Sequence, residues 1–371
     1  MVFTAKRRGP RTSMMNKASD HPVEVAWFSA LCDDDYEFLG VPDPALRSSW
    51  RHCADIVAEA RIHGFDNILL PSGYELGIDA IAFAGGIAAS LGATMRMLVA
   101  VRMGEMWPPQ LARQIATLSQ MCDGKLTINI ISSDLPGATL ASEPRYRRTL
   151  EAMMILRDLL NNRPVDTHGE FFDITLRPPT ASAAIERAPL FYFGGLSEAA
   201  REVAAQAADV YLMWPETEKA AAELITDMTA RAAVHGRTLK FGFRSHVVVR
   251  DTEANARQAA ALLLSKLDEE QGNRIRLQSL DSGSVGVSRQ RDLRNASDDD
   301  GYVEPHLWTG IGRARSGCGA AIVGNPQQVH AKLLRYRDLG IDSFILSGYP
   351  HLDECRRFGS MVLPLLSHSP L

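Results

Sequence analysis

The sequence predicts an α/β fold in which eight strands alternate with helices and close into a TIM (β/α)8 barrel. Short apolar runs of strand length alternate with longer segments of helical periodicity along most of the chain. The run at residues 126–131 is almost wholly apolar, as expected for a strand that is buried on both faces. No GxGxxG motif follows the first run, which disfavours an open dinucleotide-binding sheet.

The first half of the chain contains four strand–helix units. The predicted strands are residues 23–29, 67–70, 96–102 and 126–131, and the predicted helices are residues 47–63, 79–91, 109–121 and 144–161. In the first helix, Cys53, Val57 and Ala60 lie at helical spacing and predict a buried face. Gly64 is expected to end this helix, because glycine readily adopts positive φ.

The second half contains four more strands and one insertion. The strands are predicted at residues 190–193, 209–213, 241–249 and 343–347. Before them, residues 165–167 and 171–174 predict a hairpin, which is an insertion because it breaks the alternation of strands and helices. Asn325 followed by Pro326 predicts the start of the helix that precedes the eighth strand.

The 371 residues suit one barrel domain with insertions. We predict a single domain over residues 21–371, preceded by a basic, polar and disordered extension at residues 1–20. The longest gap between strands separates the seventh from the eighth, and its middle is rich in Ser, Asp, Arg and Gly. Long loops on the active face of a barrel often close over a ligand, so residues 269–320 are predicted to be an insertion that acts as a lid. A surface insertion without such a role is the alternative.

Composition and charge exclude several classes of function. The net charge of −4 disfavours a nucleic-acid partner, which requires a basic surface. No apolar run approaches the roughly 20 residues that a membrane-spanning helix needs, and the N-terminus lacks the apolar segment of a secretory signal. The five cysteines are scattered and never form a CxxC pair, which predicts reduced thiols in the cytoplasm and no metal site.

Several of the predicted strands end in side chains that bind anions or transfer protons. Arg244 and His246 are two residues apart on the seventh strand, so both side chains face the same side. Arg315 lies in a glycine-rich turn, and its planar guanidinium suits an oxyanion. The other such side chains are Trp214, after the sixth strand, and Tyr349 and His351, after the eighth. Because strand ends of a barrel converge on one face, these groups predict chemistry on a small anion. The alternatives are a structural ion pair at Arg244 and His246, ordinary surface charge at Arg315, and a tryptophan of the core at Trp214.

Other strand ends predict a site for a phosphate-bearing ligand. Residues 194–197 join the fifth strand to a helix through two glycines, and the N-terminus of that helix attracts anions. Asn129 and Ser132 follow the fourth strand and suit polar contacts with a ring edge or with hydroxyls. Tyr146 lies near the start of the next helix and adds a hydroxyl. An ordinary tight turn and a packed tyrosine are the alternatives.

Six short segments carry a resemblance to a known family. They are WF at 27–28, YFGG at 192–195, YLMW at 211–214, RSHVVVR at 244–250, RSGCG at 315–319 and ILSGYPHL at 345–352. The last of these is the most specific. In this order, the chain from about residue 23 to residue 366 resembles the bacterial-luciferase-like flavin monooxygenases and, within them, the alkanesulfonate monooxygenases.

The resemblance implies a luciferase-like TIM barrel that uses reduced FMN (FMNH2) and O2 to break the C–S bond of an organosulfonate, releasing sulfite and an aldehyde. The residues implied to hold FMN are Ser72, Asn129, Ser132, Tyr146, Gly194, Gly195, Leu196 and Ser197. The implied active-site residues are Trp214, Arg244, His246, Arg315, Tyr349 and His351, and Arg315 belongs to the predicted lid. The implied partners are a separate NAD(P)H-dependent flavin reductase, which supplies FMNH2, and further copies of the chain in a homodimer or homotetramer.

Two stretches depart from the alkanesulfonate monooxygenases. Residues 71–79 lack a flavin-site cysteine, and Cys32 followed by three aspartates, residues 33–35, stands where that group carries a histidine. These acids suit the hydroxyls of a polar substrate. The chain is at least as similar to family members that desulfonate a sugar sulfonate, so sulfoquinovose, giving 6-dehydroglucose, is the expected substrate. The alternatives are a simple alkanesulfonate, a non-sulfonate substrate of a monooxygenase or deazaflavin-dependent oxidoreductase, and a flavin-binding protein without activity.

Overall fold

The computed structural model of the chain describes residues 21–277 and 283–371. Its centre is a closed ring of eight parallel strands, each paired with two neighbours. Numbered along the chain and given in ring order, these strands are β1 (Glu24–Phe28), β2 (Asn67–Leu70), β3 (Arg96–Arg102), β4 (Leu126–Ile131), β7 (Phe191–Phe193), β8 (Val210–Met213), β9 (Lys240–Val249) and β13 (Ser343–Ser347). The ring confirms the predicted TIM barrel.

Helices surround this ring and cover its outer face. They are α1 (Trp50–His63), α2 (Ala80–Ile87), α3 (Pro108–Met121), α4 (Ser142–Leu160), α5 (Glu198–Ala207), α6 (Glu218–Val234), α7 (Glu253–Leu263), α8 (Glu269–Leu277), α9 (Val285–Asn295), α10 (Pro326–Leu339) and α11 (His351–Met361). Helix α1 begins three residues later than predicted, because the Ser49 side chain caps it by accepting from the backbone N–H of His52. Gly64 ends it in the left-handed region, at φ 82°, as expected. Asn325 and Gln328 form a reciprocal capping box at the start of α10.

The predicted hairpin is present as β5 (Val165–His168) and β6 (Asp173–Leu176). Its second strand begins two residues later than predicted. The backbone N–H groups of Phe171 and Phe172 donate to the carboxylate of Glu151 on α4, at 3.0 and 3.2 Å, so these residues belong to the turn.

The chain between β9 and β13 forms a large insertion that includes three unpredicted strands, β10 (Tyr302–Glu304), β11 (Leu307–Trp308) and β12 (Ala321–Gly324). One edge of β9 pairs with β13, and the other edge pairs first with β8, through residues 240–243, and then with β12, through residues 246–249. Strands β10 and β11 extend this branch as antiparallel neighbours. The predicted lid therefore contains α8, α9, β10 and β11. The predicted N-terminal extension, residues 1–20, lies outside the described residues.

The main hydrophobic core lies between the barrel and its helices, and a smaller cluster fills the barrel interior. At the N-terminal end of the barrel, the buried Glu24 carboxylate accepts from the hydroxyls of Tyr192 and Ser343, at 2.6 and 2.9 Å. Hydrogen bonding of this kind is what a buried charge requires. Among residues 21–277 and 283–371, no helix is long and apolar enough to cross a membrane.

Candidate active site

A cavity of about 490 Å³ opens where β4, β7 and β8 end. Ends of parallel strands meet on one face of a barrel, so residues far apart in sequence line the same space. Of the predicted site residues, those that line it are Asn129, Ser132, Tyr146, Gly194, Gly195, Leu196, Ser197 and Trp214. Ser72, which follows β2, does not line this cavity.

The turn from β7 to α5 forms one wall of the cavity and depends on its two glycines. A Cβ at Gly194 would clash with the backbone carbonyl of Leu212 on β8, and Gly195 has φ +146°, which side chains rarely adopt. The Tyr211 hydroxyl donates to the Gly195 carbonyl at 2.7 Å and fixes the turn against β8. Ser197 caps α5 by accepting from the backbone N–H of Ala200 at 3.2 Å.

These features fit a flavin nucleotide. The cavity volume lies within the range of about 300–1,000 Å³ that is usual for ligand sites. Trp214 supplies a flat apolar wall, and the N-terminus of the ten-residue helix α5, with its backbone N–H groups and positive dipole end, would suit a phosphate. Asn129 and Ser132 add polar side chains to the lining of the cavity. Within the described part of the chain, no group of three or more His, Cys, Asp or Glu side chains is arranged to hold a metal ion.

The other predicted active-site residues form a buried cluster at the ends of β9 and β13. Arg244 is 3% exposed, and its guanidinium lies 4.5 Å above the ring of Phe28. It donates to the carbonyls of Ser245 and Ile345, at 2.6 and 3.4 Å, and to the hydroxyl of Ser347 at 2.7 Å. All of these acceptors are neutral, and no carboxylate in the described residues forms a salt bridge with Arg244. Burial lowers the pKa of its guanidinium.

His246 is fully buried and shares Ser347 with Arg244. Its Nδ1 lies 2.8 Å from the Ser347 hydroxyl, which already accepts from Arg244. If the Ser347 hydroxyl donates to Nδ1, the imidazole proton is on Nε2. Burial and the positive charge of Arg244 lower the pKa of His246 well below its ordinary value, so the ring is neutral at neutral pH. Nε2 has no hydrogen-bond partner in the described residues.

Arg315 reaches this cluster from the turn between β11 and β12. One of its Nη atoms donates to Asp34 and, at 3.1 Å, to the hydroxyl of Tyr349. Burial alone would lower the pKa of Arg315, but Tyr349 and Asp34 raise it well above its ordinary value. Tyr349 in turn stacks on His246, with ring centroids 5.1 Å apart. The predicted residues of β9, β13 and the turn are thus brought together.

His351 lies behind Tyr349 and is held by Asp35. The backbone N–H of His351 donates to Asp35 at 2.9 Å, and its Nδ1 lies 3.0 Å from the same carboxylate oxygen, although not aligned for a hydrogen bond. The second carboxylate oxygen lies 2.9 Å from His52. Burial would raise the pKa of Asp35, but His351 and His52 lower it below its ordinary value. His351 Nε2 has no hydrogen-bond partner among the described residues.

The insertion joins the cavity to the buried cluster through Trp214. A Cβ at Gly286, on α9, would lie 2.9 Å from Cζ3 of Trp214, and one at Gly317 would lie 3.2 Å from Cζ2. Gln290 of α9 lines the cavity, donates to the carbonyl of Pro215 at 2.8 Å and accepts from the N–H of Gly319 at 3.1 Å. Helix α9 therefore contacts both the Trp214 wall and the turn that carries Arg315.

Sequence reasoning missed two residues that organise this site, Ser347 and Gln290, and missed the pairing of a third, Asp34, with Arg315. Ser347 belongs to the most specific of the six motif segments, which was the signal available for it. Asp34 was noted as one of three acids suited to substrate hydroxyls, but Asp33 pairs with the N–H of Ser48, Asp34 with Arg315 and Asp35 with His351. Gln290 lies in a polar segment without any local signal.

The sequence of this chain matches known proteins over most of its length. The family model described as luciferase-like monooxygenase matches residues 37–343. A protein named sulfoquinovose monooxygenase from Novosphingobium aromaticivorans is 59% identical over 360 residues, which cover 95% of this chain and 99% of that protein. A protein of the same name from Agrobacterium fabrum is 52% identical over 344 residues, which cover 92% of this chain and 89% of that protein.

Solved structures share the fold at much lower identity. The crystal structure of a riboflavin lyase with modified FMN and riboflavin superposes with a TM-score of 0.75 at 14% sequence identity, covering 94% of this chain and 93% of the other. At that identity the likeness concerns the fold alone.

Proposed function

This chain belongs to the luciferase-like monooxygenase family and is a flavin-dependent monooxygenase, and on that premise we propose that it uses FMNH2 and O2 to desulfonate an organosulfonate. The family predicted from the sequence is confirmed. The proposed substrate is sulfoquinovose or a related sulfonate, whose C–S bond is broken to release sulfite and an aldehyde. Two relatives that are more than half identical over almost the whole chain carry the name sulfoquinovose monooxygenase, which supports this substrate.

Arg244 is the observation that carries the proposal of an anionic substrate. Its guanidinium is buried, faces an aromatic ring and donates only to neutral oxygens. Burial of an unpaired charge lowers the free energy of unfolding by roughly several kcal/mol. Such a charge is retained where a ligand supplies the opposite charge. Arg315 is already paired with Asp34, so Arg244 remains as the single positive charge of this pair of arginines. One positive charge matches a sulfonate, which is a monoanion.

FMN is the proposed cofactor, held by the cavity described above. Reduced FMN, when bound, supplies the electrons that activate O2. The α5 N-terminus would receive the phosphate, Trp214 would cover one face of the ring system, and Asn129 and Ser132 would contact polar atoms. A separate NAD(P)H-dependent flavin reductase would supply FMNH2. Cytoplasmic location and a homodimer or homotetramer stay predictions.

Two donors are placed to hold a proton in the buried cluster. With its proton on Nε2, His246 has an N–H without a partner in the described residues, and its low pKa keeps the ring in this neutral form. The Tyr349 hydroxyl accepts from Arg315, and burial raises its pKa, so it stays protonated at neutral pH. We propose that these two groups donate to the oxygen atoms that develop charge during the reaction.

The test is sulfite release by the purified protein with FMN, NADH and a flavin reductase. Sulfoquinovose, octanesulfonate and methanesulfonate are supplied in parallel reactions. We expect sulfite from sulfoquinovose at a kcat/KM well above that for either alkyl substrate. Equal or better release from octanesulfonate would instead identify a simple alkanesulfonate monooxygenase. No sulfite from any of the three, with FMNH2 still bound, would reject a sulfonate substrate.

A further inference from the structure

Five buried polar atoms in and near the ion pair between Arg315 and Asp34 have no hydrogen-bond partner in the described residues. They are Asp34 Oδ1, Arg315 Nε, Ser316 Oγ, His246 Nε2 and His351 Nε2. Native proteins leave few such atoms, because each loses its hydrogen bonds to water without replacement. Their concentration beside Arg244 and Tyr349 indicates that a ligand provides the missing partners.

The chemistry of these atoms restricts what that ligand can be. Asp34 Oδ1 is a carboxylate oxygen and only accepts hydrogen bonds, whereas Arg315 Nε only donates. A sulfonate group carries acceptors but no donor, and an alkyl chain carries neither. A hydroxyl group carries both, so a polyhydroxylated chain attached to the sulfonate satisfies donors and acceptor together.

We propose that Asp34 is a specificity-determining residue that selects hydroxylated sulfonates over alkanesulfonates. Its two oxygens have different roles. Oδ2 accepts from Arg315 and holds that guanidinium against the Tyr349 hydroxyl, while Oδ1 accepts from a substrate hydroxyl. Arg244 remains free of carboxylates and binds the sulfonate. This inference rests on the proposed function, since it assigns a substrate contact within the same site.

The experiment compares kcat/KM for sulfoquinovose with kcat/KM for hexanesulfonate, which has the same number of carbons, in the wild-type protein and in Asp34→Asn and Asp34→Ala. Sulfite release is measured with FMN and a flavin reductase. A hydrogen bond to a charged acceptor is stronger than one to a neutral acceptor, so we expect the preference for the sugar to fall about 10-fold in Asp34→Asn. In Asp34→Ala no acceptor remains, and we expect a fall of about 100-fold.

Asp33→Asn is the matched control. Asp33 adjoins Asp34 in the same loop, but its carboxylate accepts from the backbone N–H of Ser48 at 2.7 Å and pairs with Arg47 at 3.6 Å rather than with Arg315. Asparagine also tolerates the positive φ of 50° at this position. We expect Asp33→Asn to keep the wild-type preference between the two substrates.

Either of two results would overturn the assignment. One is an unchanged preference in both Asp34 variants. The other is an equal loss of kcat/KM for both sulfonates, because Asp34 would then only orient Arg315. Asp34 lies in a loop outside the barrel strands, and the alanine variant provides a second measurement should asparagine disturb folding. Failure of the proposed function is a separate result, since the wild-type protein would then release no sulfite from either substrate.

Discussion

The buried charge of Arg244 has two opposite effects, a cost to the stability of the protein and a proposed benefit to the binding of an anion. Its charge is buried without a carboxylate partner in the described residues, which lowers the free energy of unfolding. The same unpaired charge is the group that we propose to bind the sulfonate. Sites that bind charged ligands commonly reduce stability in this way, because the binding group is only satisfied when the ligand is present.

Substitution of Arg244 by methionine separates these two effects. Methionine has a similar length and no charge, so we expect sulfite release to fall about 1,000-fold or more. We expect the free energy of unfolding to stay equal or to rise by about 1–3 kcal/mol, because the desolvated charge is removed. Urea unfolding and steady-state kinetics measure the two quantities.

Arg147→Met is the control for Arg244→Met, since Arg147 pairs with Glu170 on the exposed surface. Both turnover and stability should stay close to wild type in this control. A large loss of stability in Arg244→Met would mean that its hydrogen bonds to β13 outweigh the cost of the buried charge, and would contradict the interpretation.

For single residues, the sequence predicts the position of a side chain on its own strand better than its contacts with other strands and loops. Arg244 and His246 were placed on one side from the alternation of side chains along a strand, and both lie in the same cluster. Their shared partner Ser347 is 103 residues from Arg244, and Asp34 is 281 residues from Arg315. No local sequence pattern predicts contacts over such separations. These contacts are visible only in the folded barrel, which brings the ends of distant strands together.

Helix α9 and the turn that carries Arg315 are the elements that determine the position of Trp214. Both approach the indole ring through glycines: a Cβ at Gly286 would lie 2.9 Å from the ring and force it to shift, and one at Gly317 would lie 3.2 Å from it, a tight contact. The cavity wall is therefore set by the insertion as well as by the end of β8. Displacement of the ring changes the space available to the cofactor.

We expect Gly286→Ala to weaken FMN binding about 10-fold, because the added methyl group pushes the Trp214 ring into the cavity. The dissociation constant for FMN, followed by flavin or tryptophan fluorescence, measures this effect. Gly85→Ala, on α2, is the control, because Gly85 does not line the cavity and a Cβ there meets only Leu118, at an ordinary contact distance of 3.9 Å. Equal FMN affinity in the two variants would show that the Trp214 ring does not bound the cofactor site.

The sequence predicted the elements of the barrel but not those of the insertion. All eight barrel strands were found, since each is an apolar run of strand length. Strand β12 is equally apolar, AIVG, but it follows directly on the glycine-rich turn and falls outside the alternation of strands and helices. Helix α9, VGVSRQRDLRN, contains few apolar residues, so its periodicity is weak even though Ser284 caps it.

For the molecule as a whole, burial of neutral His246 links stability to pH. The pKa of His246 is lowered in the folded protein, so below about pH 6.5 the unfolded chain binds a proton that the native ring does not. The contribution of neutral His246 to the free energy of unfolding is therefore fully present above that pH and is lost as the pH falls below it. The slope for one such group is about 1.4 kcal/mol per pH unit.

Replacement of His246 by glutamine should reduce this dependence. We expect the difference in the free energy of unfolding between pH 7.5 and pH 5.5 to shrink by about 1 kcal/mol or more, as measured by urea unfolding at both values. The variant His235→Gln, at an exposed residue at the end of α6, should retain the wild-type difference. An unchanged difference in His246→Gln would mean that the ring is protonated in the native state at pH 5.5.

The branch at β9 has a consequence for building chimaeras from related barrels. Because β12 pairs with residues 246–249, and the carbonyl of Ala320 accepts from the backbone N–H of His246 at 3.1 Å, the insertion ends beside the buried cluster of Arg244 and His246. A graft that exchanges residues 269–320 alone would join a foreign segment to the native β12 at this hydrogen bond. An exchange that transfers β9 and β12 together preserves the register between these two strands. The recombination points of a chimaera therefore belong before residue 240 and after residue 324.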